Sequence, residues 1–475
     1  MLSAAFDPQA FRSLGHHVID LLADHLVSVQ HREGAVLPAM TPIQALTAWP
    51  SDFSPQGGED PLALMADVLR GANHLQHPRY VGHQCAAPLP LAALVGTVRD
   101  LLNNGCAIYE MGPVGMAMER AVVRWLLACC GMDGERGDGV LTHGGSAGNL
   151  TALLAARQHA ADWDIWEEGH RQGSLGVLVS DQAHYSIRRS VQVLGLGGSS
   201  VLPVETDGQC RMRPQSLESA LARMDREGRR AMAVVACAGS TATGSIDPLE
   251  AIADICAQRN LWLHVDGAHS GAMVVSPRLR PLLRGIERAD SVVIDFHKML
   301  MVPSLATAVL FRQGEHSYET FSQQASYLFD HSANQEWYNL AHRTLECTKR
   351  ALGMELYLLL KVLGTDVFST FLEDSQALAR AFAAQLRARP HWRVAVEPES
   401  NIVCFRYEPS GVEDLEGLQA RLREQVVQEG SFYLVKTTLW GHVWLRTALM
   451  NPLTSEADME ALLDRLEALA GTGPE

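Results

Sequence analysis

Residues 290–301 read Asp290-Ser-Val-Val-Ile-Asp-Phe-His-Lys298-Met-Leu-Met301 and place one lysine between an imidazole and a run of apolar residues. Apolar surroundings and a neighbouring cation both disfavour the ammonium form of a lysine, which favours the free amine that attacks an aldehyde. Lys298 is therefore the candidate nucleophile of this chain. Taken alone, such a lysine would more often end a strand and point to water, because lysine is rarely buried.

A second apolar run ends in an acid. Residues 262–269 read Trp-Leu-His-Val-Asp266-Gly-Ala-His269, which predicts a buried strand with a carboxylate at its carboxyl end. Open α/β sheets bind ligands at that end of their strands. A carboxylate there can pair with the protonated pyridine nitrogen of pyridoxal 5'-phosphate (PLP), whose aldehyde suits Lys298. The alternative is that Asp266 only caps the following helix.

A run of small residues precedes a stretch with strong helical bias. Residues 144–149 read Gly-Gly-Ser-Ala-Gly-Asn, and residues 150–157 follow as the helix former. Small residues at a helix start expose backbone N–H groups and the positive end of the dipole, which predicts a phosphate cup. A glycine-rich turn alone is a weak signal, and neither a Walker sequence nor a well-placed G-x-G-x-x-G occurs here. Another apolar strand, at 177–179, leads to His184, which could stack on a cofactor ring.

Four motifs follow one another along the chain. They are Gly144-Gly145-Ser146-Ala147-Gly148-Asn149, Ser180-Asp181-Gln182-Ala183-His184, His264-Val265-Asp266 and His297-Lys298. Their order resembles the group II PLP-dependent amino-acid decarboxylases, the family of glutamate, cysteine-sulfinate, 2,4-diaminobutyrate and aromatic L-amino-acid decarboxylases. The resemblance covers roughly residues 60–465 and includes further blocks at residues 77–80, 109–119 and 239–248.

The resemblance implies a role for each motif. It implies that Lys298 binds the cofactor covalently, that Asp266 binds the pyridine nitrogen and that His184 stacks on the ring. It further implies phosphate contacts from Ser146, Ala147 and His297, and contacts to the ring from Thr241 and Ala268.

Tyr327 resembles the mobile-loop tyrosine with which glutamate-decarboxylase-like members return a proton to the carbon that has lost CO2. Its presence favours decarboxylation of an L-amino acid to a primary amine and CO2, a carboxy-lyase activity. The alternative is an ordinary half-buried loop aromatic. Residues 331–336 are polar enough to form a flexible lid that excludes water.

The substrate-facing positions depart from the family pattern. The resemblance implies that His83 and Gln84 face the substrate and that Arg446 binds a carboxylate, for which its guanidinium is suited. If that carboxylate is the α-carboxylate, Arg446 carries no information on the side chain, and a surface arginine is the alternative. His143 and His269 have no assigned role: either could line the pocket or be a satisfied interior histidine, and the second interpretation is favoured. Small acidic or polar substrates rank above 2,4-diaminobutyrate, and both rank above aromatic ones.

Composition limits the class of protein. A chain of 475 residues predicts two to three domains, and 47% hydrophobic with 20% charged residues is typical of a soluble globular protein. The net charge of −15 argues against nucleic-acid binding. No apolar stretch or leader pattern predicts membrane insertion or secretion, so a cytoplasmic location is expected. The nine cysteines contain no C-x-x-C pair, which disfavours both zinc and a disulfide framework.

The expected architecture is PLP fold type I, an α/β protein with a mainly parallel sheet. We expect a helical arm and the substrate entrance in residues 1–95, a large PLP-binding domain in 96–350 and a small α+β domain in 351–475. The finer predictions are an arm helix around 11–22, a connector at 37–61, a helix at 345–363 and a last helix at 455–469. By analogy with the family, the apolar face of the arm helix predicts a homodimer with sites at the subunit interface.

Three other functions remain open at this point. Aminotransferases and other lyases share the fold type and the Lys298 and Asp266 pattern, and Tyr327 together with the His77-Pro78 block separates them from this chain. A decarboxylation-dependent oxidative deaminase is a further possibility among relatives that change the loop tyrosine. A non-catalytic partner-binding homologue is disfavoured because Lys298, Asp266, His184 and Tyr327 are all present.

Overall fold

The computed structural model describes residues 2–38, 40–171, 175–321 and 336–471. The chain forms two compact units. The first comprises Met1–His83, Ala381–Ala395 and Cys404–Glu475, and the second comprises Gln84–Arg380 and Val396–Val403. The division into domains at 1–95, 96–350 and 351–475 stays a prediction.

Helices and strands alternate through most of the described residues. The helices are α1 (Pro8–Gln30), α2 (Pro42–Ala48), α3 (Pro61–Gly71), α4 (Pro90–Leu102), α5 (Pro113–Cys129), α6 (Gly145–Ala160), α7 (Ile165–Glu168), α8 (Tyr185–Val193), α9 (Pro214–Arg226), α10 (Leu249–Arg259), α11 (Met354–Leu363), α12 (Asp366–Ala388), α13 (Leu415–Gln428) and α14 (Glu456–Gly471). The strands are β1 (Asp138–Thr142), β2 (Leu175–Ser180), β3 (Val201–Val204), β4 (Arg230–Cys237), β5 (Trp262–Asp266), β6 (Ser291–Asp295), β7 (Thr307–Phe311), β8 (Trp392–Val394), β9 (Ile402–Tyr407), β10 (Val435–Leu439) and β11 (His442–Ala448).

A seven-stranded sheet in the order β1-β7-β6-β5-β4-β2-β3 forms the centre of the second unit. The neighbours from β6 to β3 pair in parallel, whereas β7 runs antiparallel to both β6 and β1. Strands β5, β6 and β7 are buried along their whole length, as expected of a sheet covered on both faces. The prediction of a mainly parallel α/β sheet is confirmed.

A four-stranded sheet in the order β10-β11-β9-β8 lies in the C-terminal part of the chain. The pairs β8–β9 and β10–β11 are antiparallel. Together with α13 and α14 this sheet confirms the expected α+β character of that part.

Helix α6 packs closely against the central sheet. Residues 151–156 of this helix are all buried, and several of them join the strands in one apolar cluster. A Cβ at Gly148 would lie 3.2 Å from Val293 and 3.3 Å from Thr307, so the helix approaches β6 and β7 as closely as a glycine allows. The sheet thus fixes the start of α6 next to the ends of the strands.

Two of the predicted helices are confirmed and two local predictions are wrong. Helices α1 and α14 confirm the arm helix and the last helix. The predicted connector at 37–61 contains α2, because Thr41 and Gln44 form a capping box and a proline occupies the first turn.

The predicted helix at 345–363 begins only at Met354. Before it, the buried Lys349 donates from Nζ to Glu119 (2.6 Å) and to the carbonyl oxygen of Leu141 (2.5 Å). These contacts hold the segment in a non-helical path against α5 and β1. Among the described residues, no helix has the length and the apolar run that a membrane crossing needs.

Candidate active site

A cavity of about 270 Å³ opens at the carboxyl ends of the parallel strands in the second unit. The start of α6 and the segments after β4, β5 and β6 contribute most of its wall. It is lined by His143, Gly144, Gly145, Ser146, Asn149, His184, Ser186, Cys237, Gly239, Ser240, Thr241, Asp266, Ala268, His269, Asp295, His297, Lys298 and Leu305. Seven of the predicted cofactor contacts therefore share one cavity, the exception being Ala147.

Lys298 follows β6 and faces the cavity with one acidic partner. Its Nζ lies 2.9 Å from Oδ2 of Asp295, whose other oxygen accepts a hydrogen bond from Thr307 (2.5 Å). The Asp295 side chain is buried, so the pair fixes the lysine at the end of the strand. Asp295 was not among the predicted site residues, although it stands only three residues before Lys298. The sequence predicted only apolar residues and His297 as neighbours of the lysine.

Asp266 ends β5 and retains capacity to accept hydrogen bonds from the cavity. Its Oδ2 accepts from Asn149 Nδ2 (3.0 Å) and its Oδ1 accepts from the backbone N–H of Ala268 (3.2 Å). A carboxylate has about four acceptor positions, so two remain. The alternative of a helix cap fails, because Ser270 occupies the N-cap position of the next helical turn.

His184 has a structural role besides its place in the cavity wall. It is the N-cap of α8, and its Nδ1 accepts from the backbone N–H of Ser186 (3.3 Å) and lies 2.8 Å from the Ser186 hydroxyl. Burial lowers the pKa of His184. This capping role was not predicted from the sequence. The residues that usually cap the start of a helix are Ser, Thr, Asn and Asp, so a histidine at this position gave no such signal.

The start of α6 lines the cavity with small residues, and its role as a phosphate cup stays a prediction. Gly144 has a φ of +96°, which lets the chain turn into the helix, and a Cβ at Gly145 would lie 3.1 Å from the Asp295 carboxylate. His297 Nδ1 donates to the carbonyl oxygen of Ala306 (3.1 Å), and its Nε2 lies 3.6 Å from Oδ2 of Asp295 at the cavity wall. Ala147 follows Ser146 in the helix but is absent from the cavity wall among the described residues.

Two histidines without a predicted role line the same cavity. His269 is buried and its Nε2 lies 2.7 Å from Oδ1 of Asn401, in keeping with an interior histidine. His143 is partly exposed, and its Nδ1 lies 2.9 Å from Oε1 of Glu346. His143 therefore presents a polar edge to the cavity.

His83 and Arg446 belong to the first unit and lie close to each other there. Burial lowers the pKa of His83, and the positive charge of Arg446 lowers it further. Arg446 lies on β11 and is buried, so the alternative of a surface arginine is wrong. Its Nη1 donates to the carbonyl oxygen of Gly82 (3.4 Å). Gln84 belongs to the second unit, and its buried amide nitrogen has no hydrogen-bond partner among the described residues.

Tyr327 and residues 331–335 of the predicted lid lie outside the described residues.

Several cavity residues were missed from the sequence, among them Asn149, Ser186 and Asp295, as was Glu346, which contacts His143 of the cavity wall. Asn149 ends the small-residue run at 144–149, and Asp295 stands three residues before Lys298. Their positions in these motifs could have predicted that both lie at the site. Glu346 enters the site only through a tertiary contact with His143, which no local pattern indicates.

One potential metal-ligand group occurs among the described residues, outside this cavity. The ligand atoms of His159, His316 and Glu319 lie within 4.8 Å of one another, and two of the three residues are exposed. His316 Nδ1 already lies 3.2 Å from the Glu319 carboxylate, and both imidazole rings pack against Trp262. These contacts account for the group without a metal.

Comparison with known proteins identifies the class of site. The sequence profile of the pyridoxal-dependent decarboxylase conserved domain matches residues 55–408. The chain belongs to this family. It is therefore a PLP-dependent carboxy-lyase that acts on an L-amino acid, as the sequence predicted.

Curated relatives and a solved structure are similar to this chain over most of its length. The human acidic amino acid decarboxylase GADL1 is 32% identical over 87% of this chain and 82% of its own. Human cysteine sulfinic acid decarboxylase is 32% identical over 85% of this chain and 84% of its own. A crystal structure of mouse CSAD superposes with a TM-score of 0.91 at 29% identity, covering 98% of this chain and 99% of that one.

The donors and acceptors in the cavity of this decarboxylase fit PLP. The helix start at Gly145 supplies backbone N–H groups for a phosphate, and His297 supplies an imidazole nitrogen. Asp266 supplies a carboxylate for a pyridinium, and Lys298 supplies the amine for an aldehyde. The glycine at 145 matters because a side chain there would fill the cup.

Proposed function

We propose that this enzyme decarboxylates a small acidic L-amino acid, using Lys298 and Asp266 as its main cofactor contacts. The observation that carries this proposal is the convergence of Lys298, Asp266 and the start of α6 on one cavity. Two similar proteins are named for acidic and sulfinic substrates, which supports the choice of substrate class.

The proposed roles follow from the positions of the side chains. When bound, PLP supplies a conjugated pyridine ring that accepts the electrons released as CO2 leaves. Lys298 would hold the cofactor covalently, with its Nζ oriented by Asp295 at 2.9 Å. Asp266 would hold a proton on the pyridine nitrogen, because its carboxylate is buried at the cavity wall and stabilised by two N–H donors.

Further contacts would orient the cofactor and the proton transfer. His184 would cover one face of the ring, and Ser146, Ala147 and His297 would bind the phosphate. Thr241 and Ala268 would complete the walls beside the ring. Tyr327 is proposed to return the proton to the carbon that has lost CO2.

Arg446 is the proposed carboxylate-binding residue. Its guanidinium is buried, and its charge lies close to the imidazole of His83. A substrate carboxylate would offer this buried guanidinium charge-assisted hydrogen bonds in place of those it would make with water. If Arg446 binds the α-carboxylate, the side chain of the substrate would be selected by His83 and Gln84. In that case 2,4-diaminobutyrate and aromatic amino acids become the alternatives to test.

The first experiment combines product analysis with trapping of the cofactor lysine. PLP-loaded enzyme is incubated with glutamate, aspartate, cysteine sulfinate, 2,4-diaminobutyrate and aromatic amino acids while CO2, amine, aldehyde and oxygen are followed. We expect equal amounts of amine and CO2 from an acidic substrate. Borohydride reduction followed by peptide mapping should place the cofactor on Lys298.

Two variants test the assigned roles. Lys298→Ala should abolish both the reduced adduct and turnover. Tyr327→Phe should keep the adduct, lower amine formation by at least about 100-fold and divert some substrate to aldehyde with oxygen uptake. Keto acid without CO2 from the parent enzyme would instead indicate an aminotransferase, and an adduct on another lysine would refute the role of Lys298.

We also propose that the enzyme is a homodimer. Helix α4 exposes Leu94, Val98 and Leu101 on one face, with exposed fractions of 50%, 54% and 69%. Residues at this spacing lie on one side of a helix, and such an apolar stripe is typical of a surface covered by another chain.

A further inference from the structure

A line of hydrogen bonds runs from the cavity into the centre of the sheet. In order from the cavity, its members are Asp266, Asn149, His264, Ser291 and Trp262. Three of them stand on alternate positions of β5 and so share one face of the strand. Ser291 is the register partner of His264 on β6. All five side chains are buried, and of the five only Asp266 and Asn149 line the cavity.

The chemistry of the two ends fixes the direction of every bond. The carboxylate of Asp266 only accepts, so Asn149 donates to its Oδ2 from the amide nitrogen (3.0 Å) and keeps its oxygen as an acceptor for His264 Nε2. The indole Nε1 of Trp262 only donates, so Ser291 Oγ accepts it (2.9 Å), and Ser291 gives its own hydrogen to His264 Nδ1 (2.9 Å), the acceptor nitrogen of the neutral ring. His264 Nε2 must then carry the ring hydrogen, which it donates to Asn149 Oδ1 (3.0 Å).

The same amide also reaches the second cofactor contact. The other N–H of Asn149 donates to Ser186 Oγ (3.0 Å), which in turn has its hydrogen directed at His184 Nδ1 (2.8 Å). The backbone N–H of Ser186 points at the same nitrogen. His184 Nδ1 is therefore an acceptor, and the ring hydrogen of His184 lies on Nε2.

The environment keeps His264 in the neutral form that these directions require. Burial lowers the pKa of His264 to about 4, against the nearby charge of Asp266, which raises it. At neutral pH, His264 then has one donor and one acceptor nitrogen, and both are used.

We infer that His264, which does not reach the cavity, is a positioning residue: through the amide of Asn149 it holds the N–H donor on Asp266. Without His264, the oxygen of Asn149 loses its donor, and the amide loses the contact that holds it against Asp266 from the side of the sheet. The inference rests on the proposed contact between Asp266 and the pyridine nitrogen, and adds a buried residue to it.

The test compares PLP with its 1-deaza analogue, in which a C–H group replaces the ring nitrogen. Dissociation constants for the apoenzyme are measured by tryptophan fluorescence. Aldehyde and phosphate contacts are common to both compounds, so the ratio of the two constants reports the contact with Asp266. We expect the parent enzyme to prefer PLP by about 10- to 100-fold, the range for a hydrogen bond to a charged group.

Variants at position 264 separate positioning from general stability. His264→Leu should reduce the preference for PLP to within about threefold, whereas His264→Gln should restore most of it because its amide can donate to Asn149. Val265→Ala is the matched control, since it removes buried volume from the opposite face of β5. It should lower thermal stability and leave the preference unchanged.

The outcomes distinguish this inference from the proposed function. A parent enzyme with no preference for PLP over the analogue would refute the contact of Asp266 with the ring nitrogen, and the inference with it. A parent preference that persists in His264→Leu would refute the inference alone. If His264→Leu does not fold, Ser291→Ala gives the same decision, because it removes the hydrogen bond that sets the tautomer of His264.

Discussion

Gly239 shows how a single residue shapes the cavity wall. It has a φ of +91°, and a Cβ there would lie 2.1 Å from Oγ of Ser270. The backbone N–H of Ser270 also donates to Ala238, so the serine cannot move aside easily. The loop that carries Thr241 therefore depends on the absence of a side chain at 239.

We expect Gly239→Ala to lower the free energy of unfolding by about 1–3 kcal/mol, because it combines backbone strain with a steric overlap. It should also weaken PLP binding through displacement of Thr241. Gly208→Ala is the control, since Gly208 is exposed and has no atom within 4 Å of an added Cβ. Urea unfolding of the apoenzyme gives the comparison, and equal stability of the two variants would contradict the prediction.

At the scale of elements, Asp458 joins α14 to the segment after α1. Its two oxygens accept from Arg32 Nε and Nη2, both at 2.7 Å, and Oδ2 also accepts from the Ser455 hydroxyl at 2.7 Å. Burial raises the pKa of Asp458, but the hydrogen bonds from Arg32 and Ser455 outweigh burial and lower it to about 2. The bidentate pair therefore stabilises the folded first unit only while Asp458 is ionised.

Asp458→Asn should lower the free energy of unfolding by about 1.5–3 kcal/mol at pH 7. Because the pKa is lower in the folded state, the contribution of Asp458 is complete above the unfolded pKa of about 4 and is lost as the pH falls towards 2. The difference between variant and parent should thus be constant from pH 7 to 5 and shrink below pH 4. Asp67→Asn, which removes an exposed pair with Arg70, should have almost no effect at any pH.

The elements also show what the sequence could and could not predict. The spacing of apolar residues predicted α1 and α14, and the apolar run that ends in an acid predicted Asp266 at the carboxyl end of β5. The start of α11 was misjudged because Lys349 makes buried tertiary contacts that outweigh the helical bias of its segment. The antiparallel insertion of β7 was not predicted, since pairing order depends on contacts between strands and leaves no periodic signal.

The same limit applies to the site. Lys298, Asp266 and His184 carry their chemistry in their own residue type and motif, so a sequence reveals them. Asn149 and His264 act through partners more than 100 positions away, as the pair Asn149–His264 shows. Only a folded chain brings such residues together.

At the scale of the whole molecule, the exposed stripe on α4 predicts the oligomeric state. Light scattering after size exclusion should give twice the chain mass of 51.9 kDa. Val98→Glu combined with Leu101→Glu should shift the protein towards the mass of one chain, because two charges would be desolvated in the interface. Val193→Glu, at an exposed valine on α8, should leave the dimer intact. A dimer that persists with both glutamates would place the interface elsewhere.

The buried ion pair of Lys349 has a consequence for reactivity. The chain contains only four lysines, at positions 298, 349, 361 and 436. The remaining residues counted as Lys or Arg are arginines, whose guanidinium groups do not form imines with aldehydes as a lysine amine does. Lys349 is fully buried and bonded to Glu119, which shields one of the four. An enzyme that binds a reactive aldehyde as its cofactor thus presents few lysine amines outside its own cavity with which a simple aldehyde could form an imine.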